Sequence, residues 1–239
     1  MPIPHASWAH CYDLAYENSH GALYQRLTDL TITTIRELRQ PPCSLVDFGA
    51  GTGRLSIPLA RCGYTVTAVE PCQEMMDLLL AKAHDANVRI RSRVEGMQDF
   101  NGQGQFGLAL CVFTTVLYLL DEASLRQGLT ALAEALTEKG RLLIDIPSRD
   151  AFQGYRRRTP VLDRTVTVTP VEGDVYTYRE EIRCLMDGNW QEYEDRFSVR
   201  YWPAEAILSV LEDKGVECEG PLGEFQGTGA AYYRGTKTR

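Results

Sequence analysis

Between residues 20 and 39 the apolar positions recur at helical spacing. Leu23, Leu27, Leu30, Ile35 and Leu38 fall close to one face, which predicts a helix from His20 to Arg39. Beyond it, short β-branched or leucine-rich runs at 45–48, 65–69, 108–113 and 142–146 alternate with helical patterns at 54–61, 73–83 and 123–136. The stretch VRIRSRV at 88–94 predicts a further, more exposed strand. Strands separated by helices predict βαβ units, hence a mostly parallel sheet with helices on both faces. Pro58 lies inside the first of those helices and should kink it or delay its regular part, because proline has no backbone N–H to donate.

After Pro147 the period changes. YRRRTP (155–160) is polar and reads as irregular, and then RTVTVTP (164–170), VYTYREEIRCLM (175–186) and WQEYEDRFSVRYW (190–202) alternate with period two. Asp187-Gly188 between the last two is a hairpin signal. These segments predict an antiparallel insertion over 151–202, laid on the parallel sheet. PAEAILSVLEDKG (203–215) returns to helix, with Pro203 near its start and Gly215 at its end.

The chain of 239 residues is long enough to bury a full core, and 44% hydrophobic with 24% charged residues is an ordinary globular balance. A net charge of −7 argues against a general grip on nucleic acid, which needs a basic face. MPIPHASWAH lacks the basic and apolar regions of a secretory signal, and the longest nearly apolar run, 108–120, is too short to span a bilayer. Seven dispersed cysteines without a C-x-x-C pair fit a reducing cytoplasm, and four scattered histidines have no zinc-ligand spacing. The expectation is a cytoplasmic protein with no metal and no membrane or nucleic-acid partner.

LVDFGAGTGRL (45–55) carries the chemistry. A dinucleotide fingerprint needs G-x-G-x-x-G, but the place of its third glycine is taken by Arg54, and no Walker lysine follows. The glycines stand instead at 49, 51 and 53, behind Asp47. Glycines without Cβ let the backbone approach a ligand closely. A turn of this kind read alone could equally be a steric corner with no ligand.

D-x-G-x-G-x-G over 47–53 resembles the class I S-adenosylmethionine-dependent methyltransferases, and the resemblance runs along most of the chain. WAHCYDLAYE looks like the family's N-terminal segment that folds over the cofactor. EGMQDF stands where the adenine is met, CVFTTVLYLL resembles the fourth strand with its active-site loop, and GRLLIDIP resembles the fifth strand. The helix from Pro203 and the antiparallel insertion are similar to those of the small-molecule branch that acts on glycine-like or amino-sugar substrates. Two departures stand out: Met97 follows Gly96 where many relatives have Asp, and Gly107 follows Phe106 where Asp is common.

The resemblance implies a Rossmann-like, seven-stranded, mostly parallel sheet with an antiparallel insertion. It divides the chain into an N-terminal cap (1–40), a cofactor domain (41–150 with 203–239) and a lid (151–202). It implies S-adenosylmethionine as cofactor and S-adenosylhomocysteine as product. Cofactor contacts are expected from Tyr12, Asp47, Gly49, Ala50, Gly51, Gly53, Glu70, Pro71, Met75, Met97, Gln98, Cys111 and Phe113. Glu70, at the tip of the second strand, would accept both ribose hydroxyls, and backbone amides with Gln98 would meet the adenine in place of the missing Asp. Asp47 could also cap the following turn.

On the acceptor side, Tyr16, Thr114, Tyr118 and Arg156 are the candidate substrate contacts, Tyr118 because ligands of open α/β sheets collect beyond the strands' carboxyl ends. Arg156, Arg157 and Arg158 read as solvated loop charges or as a grip on an anionic group. Tyr176, Tyr178, Trp190 and Tyr201 read as the insertion's packing face. The loop after the fourth strand offers Thr114, Thr115 and Tyr118 but no His, Lys or paired carboxylate, so an amine that enters neutral is expected as acceptor before an oxygen that needs a base. His5, His10 and His20 can still reach the pocket from the N-terminal segment. The reading is a methyltransferase of a small molecule, monomeric or homodimeric; methylation of protein, RNA or DNA, or a non-catalytic S-adenosylmethionine-binding module, are the alternatives.

Overall fold

The computed structural model describes residues 3–238, so the outermost residues of the expected cap and cofactor domain, 1–2 and 239, lie outside the described residues. A 3-10 segment, Ala6–Cys11, leads into α1 (Tyr12–His20) and α2 (Ala22–Leu38). The helix expected from residue 20 therefore begins two residues later and has a partner before it. Gly21, at φ 50, separates the two, a left-handed value that glycine adopts without steric penalty.

The first half of the chain then runs β1 (Ser44–Phe48), α3 (Ser56–Arg61), β2 (Thr65–Val69), α4 (Gln73–Asp85), β3 (Arg91–Arg93), β4 (Phe106–Cys111), α5 (Glu122–Ala135) and β5 (Leu136–Pro147). Pro58 does delay α3, which starts at Ser56 rather than Arg54 and holds the proline in its first turn, where no N–H is required. Only three of the seven residues expected for the 88–94 strand pair, as an exposed edge against β2.

Four further strands follow: β6 (Tyr155–Thr159), β7 (Leu162–Pro170), β8 (Val175–Met186) and β9 (Asn189–Arg200), and then α6 (Ala204–Asp213), β10 (Val216–Glu219) and β11 (Ala230–Lys237). The segment read as irregular is a strand: β6 pairs antiparallel with β7, its arginines charging the sheet edge. The hairpin between β8 and β9 turns at Asp187 and Gly188, both with positive φ, as a two-residue primed turn demands.

The main sheet has seven strands in the order β10-β11-β5-β4-β1-β2-β3. The pairs β1·β2, β1·β4, β2·β3 and β4·β5 are parallel, and β5·β11 and β10·β11 antiparallel. Strand pleating sends alternate residues to opposite faces. Leu45, Leu108, Leu110 and Leu143 pack with Ile35 of α2 and Leu59 of α3, whereas Val46, Ala109, Leu142 and Ile144 pack with Leu129 of α5 and Ile207 of α6. Each such leucine or isoleucine, fully buried, contributes about 1.5–3 kcal/mol.

The four-stranded sheet β6-β7-β8-β9 is separate but shares both neighbours' cores. Phe197, Val199 and Trp202 join the α5–α6 side, and Leu162, Ile182 and Cys184 pack with Trp8, Cys11 and Ala15 of the N-terminal segment. Tyr176, Tyr178 and Tyr201 pack around Phe152, while Trp190 near the hairpin tip is 45% exposed. Among the described residues, no helix is long and apolar enough to cross a membrane.

Candidate active site

The site grows out of the carboxyl ends of β1, β2, β4 and β5. β1 ends at Phe48 and the chain turns through Gly49 (φ 73), Gly51 (φ 54) and Gly53 (φ 90) before α3. The three glycines differ in what they face. A Cβ on Gly49 would overlap Thr115 Oγ1, and one on Gly53 would come within 2.8 Å of Ile57 Cδ1, so these two are required by the protein's own packing. A Cβ on Gly51 would meet nothing within 4 Å, so the Cβ side of this glycine is open. The amides of Gly49 and Ala50 donate to Val69 O at 2.8 and 3.1 Å, fixing the turn against β2.

Glu70 follows β2 directly and is buried. Its Oε2 accepts the Gly51 amide and its Oε1 the Cys72 amide, each at 3.0 Å. Burial pushes its carboxyl up against the opposing pull of those two amides. Asp47, also buried, accepts Ser56 Oγ at 2.6 Å and not the turn's backbone, which corrects the expected cap. Burial lifts it to about 6, with Ser56 opposing and the Glu70 charge adding.

Met97, at the start of a 3-10 turn, is buried with its sulfur 4.0 Å from Cys111 Sγ, beneath the surface on which Gln98 lies exposed and folded toward Asp99. Pro71 is exposed, and Met75 is buried against Ala9 of the N-terminal segment.

β4 ends at Cys111, two residues before the expected end, because Phe113 (φ 59) and Thr114 (φ 70) enter the left-handed region. Bulky residues there cost energy and persist only when held from outside. Two groups hold them. Asp145 of β5, buried, accepts the Thr114 amide at 3.1 Å; burial lifts its carboxyl to about 7, against the pull of the Thr114 and Phe113 amides and of Arg54. The Arg54 guanidinium is sandwiched at 3.6 Å between the rings of Phe113 and Tyr24, while donating to Thr28 Oγ1 (2.7 Å) and Tyr24 O (3.0 Å) of α2.

The N-terminal segment covers this opening. Asp13 accepts Thr52 Oγ1 of the glycine turn at 2.6 Å and Lys82 Nζ of α4 at 2.7 Å. Behind it Trp8, Tyr12 and Tyr16 stack in series, with centroids 5.2 and 4.3 Å apart. Arg164 of β7 lies 4.6 Å from the Tyr16 ring centre and forms a buried ion pair with Glu180 of β8, one guanidinium nitrogen donating to both carboxylate oxygens. Of the three N-terminal histidines, His5 Nε2 is 2.8 Å from Tyr118 Oη in the loop after β4, His10 meets Tyr193 and His20 packs on Tyr155. Arg156 stands on exposed β6 with its guanidinium engaged by both oxygens of Asp163.

The structure thus gathers the turn glycines, Asp47, Glu70, Phe113, Thr114 and Tyr118 at the carboxyl ends of β1, β2 and β4, with Tyr12 and Tyr16 in the N-terminal segment that Asp13 ties to the glycine turn. Residues that pattern reading passed over are Asp145, Arg54 in its tethering role, Asp195 and the Arg164–Glu180 pair. A lone acid inside an apolar strand, as in LLIDIP, was the available signal for Asp145.

Residues 45–140 match a family model described as a methyltransferase domain. That stretch, which runs from β1 into β5, is similar to a methyltransferase domain. A Geobacillus sp. (strain WCH70) protein, provisionally named a methyltransferase, is 34% identical over 110 residues, which is 46% of this chain and 44% of that protein. The match therefore spans less than half of that relative's length. Among solved structures, an S-adenosylmethionine-dependent methyltransferase from Clostridium acetobutylicum ATCC 824 superposes with TM-score 0.82 at 18% identity, covering 96% of this chain and 97% of that one. CalS10, an amino pentose methyltransferase from Micromonospora echinaspora solved with S-adenosylmethionine bound, gives 0.76 at 22% identity over 95% and 96%. KedS8, a sugar N-methyltransferase from Streptoalloteichus sp ATCC 53650, gives 0.76 at 22% over 95% and 93%. The fold is that of the S-adenosylmethionine-dependent methyltransferases, with the seven-stranded mostly parallel sheet and antiparallel insertion that the sequence led one to expect.

Proposed function

We propose that the chain is an S-adenosylmethionine-dependent methyltransferase of a small molecule, with an amine nitrogen as the methyl acceptor. One observation carries the cofactor reading: Glu70 is fastened to the amide of Gly51, the one of the three turn glycines at which an added Cβ would meet no protein atom. The bound cofactor supplies a methyl group on a sulfonium, an electrophile that needs no activation by the protein. Glu70 retains lone pairs for the ribose hydroxyls, the open Cβ side of Gly51 admits the methionyl part, and Tyr12 with Phe113 closes that end. Pro71, Met75, Met97, Gln98 and Cys111 frame the remainder, the buried ones through shape and Gln98 through its amide.

Tyr16, Thr114 and Tyr118 are the proposed acceptor contacts, on the side where the N-terminal segment and the insertion meet the loop after β4. Excluding water there and holding the nucleophile in line supplies much of the acceleration such a displacement needs. Arg156 could reach an anionic group on the acceptor only by releasing Asp163. The nitrogen preference is supported by the likeness to CalS10 and KedS8, whose names give amino-sugar and sugar nitrogen acceptors. It is also supported by the loop's own residues, which include no base.

The test is incubation with methyl-labelled S-adenosylmethionine and an unbiased metabolite extract. Labelled N-methyl product of low molecular weight is the expected result; label in protein or nucleic acid, or only methyl ethers or esters, refutes it.

A further inference from the structure

His5 belongs to no cofactor contact, yet it is held with unusual care. Its backbone stands in the left-handed region at φ 67, and its amide donates to Asp195 Oδ2 of β9 at 2.7 Å. Trp8 Nε1 donates to the same oxygen at 3.1 Å. The imidazole is buried among Trp8, Tyr12 and Phe197, with centroids 5.2, 5.5 and 4.8 Å away. Its two nitrogens face different groups. Nε2 is 2.8 Å from Tyr118 Oη, while Nδ1 has no hydrogen-bond partner and lies 3.7 Å from Asp195 Oδ2.

Three protonation states have to be compared. The imidazolium is disfavoured because burial pushes His5 down to about 3, the Arg164 charge adding to that. Of the two neutral tautomers, one aims the Nδ1 lone pair at a carboxylate and the other aims N–H at it. Electrostatics select the second. Nε2 is then a bare acceptor, so the Tyr118 hydroxyl must donate to it. An ordinary phenol is protonated at neutral pH, so Tyr118 keeps the single proton it has to give.

With that proton committed, the Tyr118 oxygen can only accept from anything in the pocket. We infer that Asp195 and His5 are positioning residues that fix Tyr118 as a hydrogen-bond acceptor toward the methyl acceptor, and so select a nucleophile that carries a donor hydrogen on its reacting atom. The inference rests on the methyl-transfer reading above. Primary and secondary amines satisfy it, and a tertiary amine does not. A donor hydrogen also grows more acidic as the nitrogen gains positive charge, so the contact with Tyr118 strengthens as the reaction proceeds.

Two measurements test this separately. In histidine-labelled protein at pH 7, long-range proton–nitrogen NMR should show His5, identified by its loss in His5→Gln, with Nδ1 protonated and Nε2 bare. Tyr118→Phe should shift the Nε2 signal. The groups facing the ring are Asp195, Tyr118, Tyr12 and Arg164, so no other carboxylate competes for the assignment. A protonated Nε2, or an imidazolium, overturns the inference whatever the enzyme methylates.

The second measurement follows S-adenosylhomocysteine release with amino sugars and simple amines in free, N-methyl and N,N-dimethyl forms. Tyr118→Phe and His5→Leu should each lower kcat/KM for the free and N-methyl amines by about 10- to 100-fold, with KM for S-adenosylmethionine unchanged. His5→Gln, whose amide oxygen can accept the phenol, should recover most of the loss. Turnover of the N,N-dimethyl forms by the unaltered protein overturns the selectivity. A silent panel with label in another class of acceptor refutes the amine reading instead, and the NMR result still decides the orientation of Tyr118.

Discussion

Glu70 Oε2 accepts the Gly51 amide at 3.0 Å, which fastens the carboxylate at the tip of β2 to the middle of the turn that follows β1. The two halves of the proposed cofactor site are therefore one hydrogen-bonded unit. Glu70→Ala should weaken S-adenosylhomocysteine binding by about 1–3 kcal/mol, the size of charge-assisted bonds lost to buried hydroxyls. It should also lower Tm, since the Gly51 and Cys72 amides lose their acceptor. Calorimetry that finds unchanged affinity in a folded variant removes the ribose assignment.

The glycines should separate into two phenotypes. Gly49→Ala drives a Cβ into Thr115 at a backbone angle that disfavours it, and should destabilise the fold by roughly 1–3 kcal/mol. Gly51→Ala meets no protein atom and should cost only the smaller penalty of its positive φ, about 1 kcal/mol, while impairing cofactor binding. Equal effects of both variants on Tm and on binding would count against the open Cβ side of Gly51 as the contact surface.

Asp13 is a latch between the cap, Thr52 and Lys82. Asp13 and Lys82 are 42% and 39% exposed, so Asp13→Ala should cost little stability, about 0.5 kcal/mol. Dissociation of S-adenosylhomocysteine should instead become several-fold faster in stopped flow, because the cap is freed from the turn. An unchanged off-rate means that the cap does not gate release.

Asp145 gives a pH signature. Its folded-state value, about 7, lies above the ordinary 3.8, so between those values the native state holds more proton than the unfolded chain. Its contribution is complete at low pH and is lost as pH rises through 7. Asp145→Asn, which cannot ionise, should gain Tm relative to the unaltered protein on going from pH 5 to pH 8. His5 has the opposite sign, since its depressed value makes stability fall as pH drops from 6.5 toward 3. Parallel Tm curves for the Asn variant and the parent would contradict the burial of an ionisable Asp145.

Where local pattern decides structure, the chain could be read. β2 matches its β-branched run end to end, β8 spans Val175–Met186 as its alternation says, and Asp187-Gly188 makes the hairpin its chemistry demands. Where distant residues decide, it could not. Phe113 and Thr114 take left-handed backbone where Asp145, from another strand, accepts the Thr114 amide and Arg54 lies over the Phe113 ring, and no local rule for Phe or Thr contains that. The arginines of β6 read as loop until β7 is there to pair with them. Arg54 was informative as a missing glycine, but its contacts with Tyr24 and Thr28 depend on how α2 lies over the turn. Likewise, three glycines in a row of alternate positions are equivalent on paper, and only packing shows that two serve the protein and one faces outward.

The small antiparallel sheet leaves and rejoins the main fold at nearly the same point. Arg149, just after β5, lies 4.1 Å over the ring of Tyr201, just before α6, and Phe152 packs on that ring as well. Residues 149–201 are thus a cassette with adjacent ends, whose replacement leaves the register of β5 and the start of α6 untouched. On the proposed reading, donor recognition would be encoded outside the cassette, in the stretch that holds Asp47, Gly51 and Glu70. Acceptor preference could then drift, or be transplanted, through the cassette and the cap packed on it, with the methyl-donor machinery inherited unchanged.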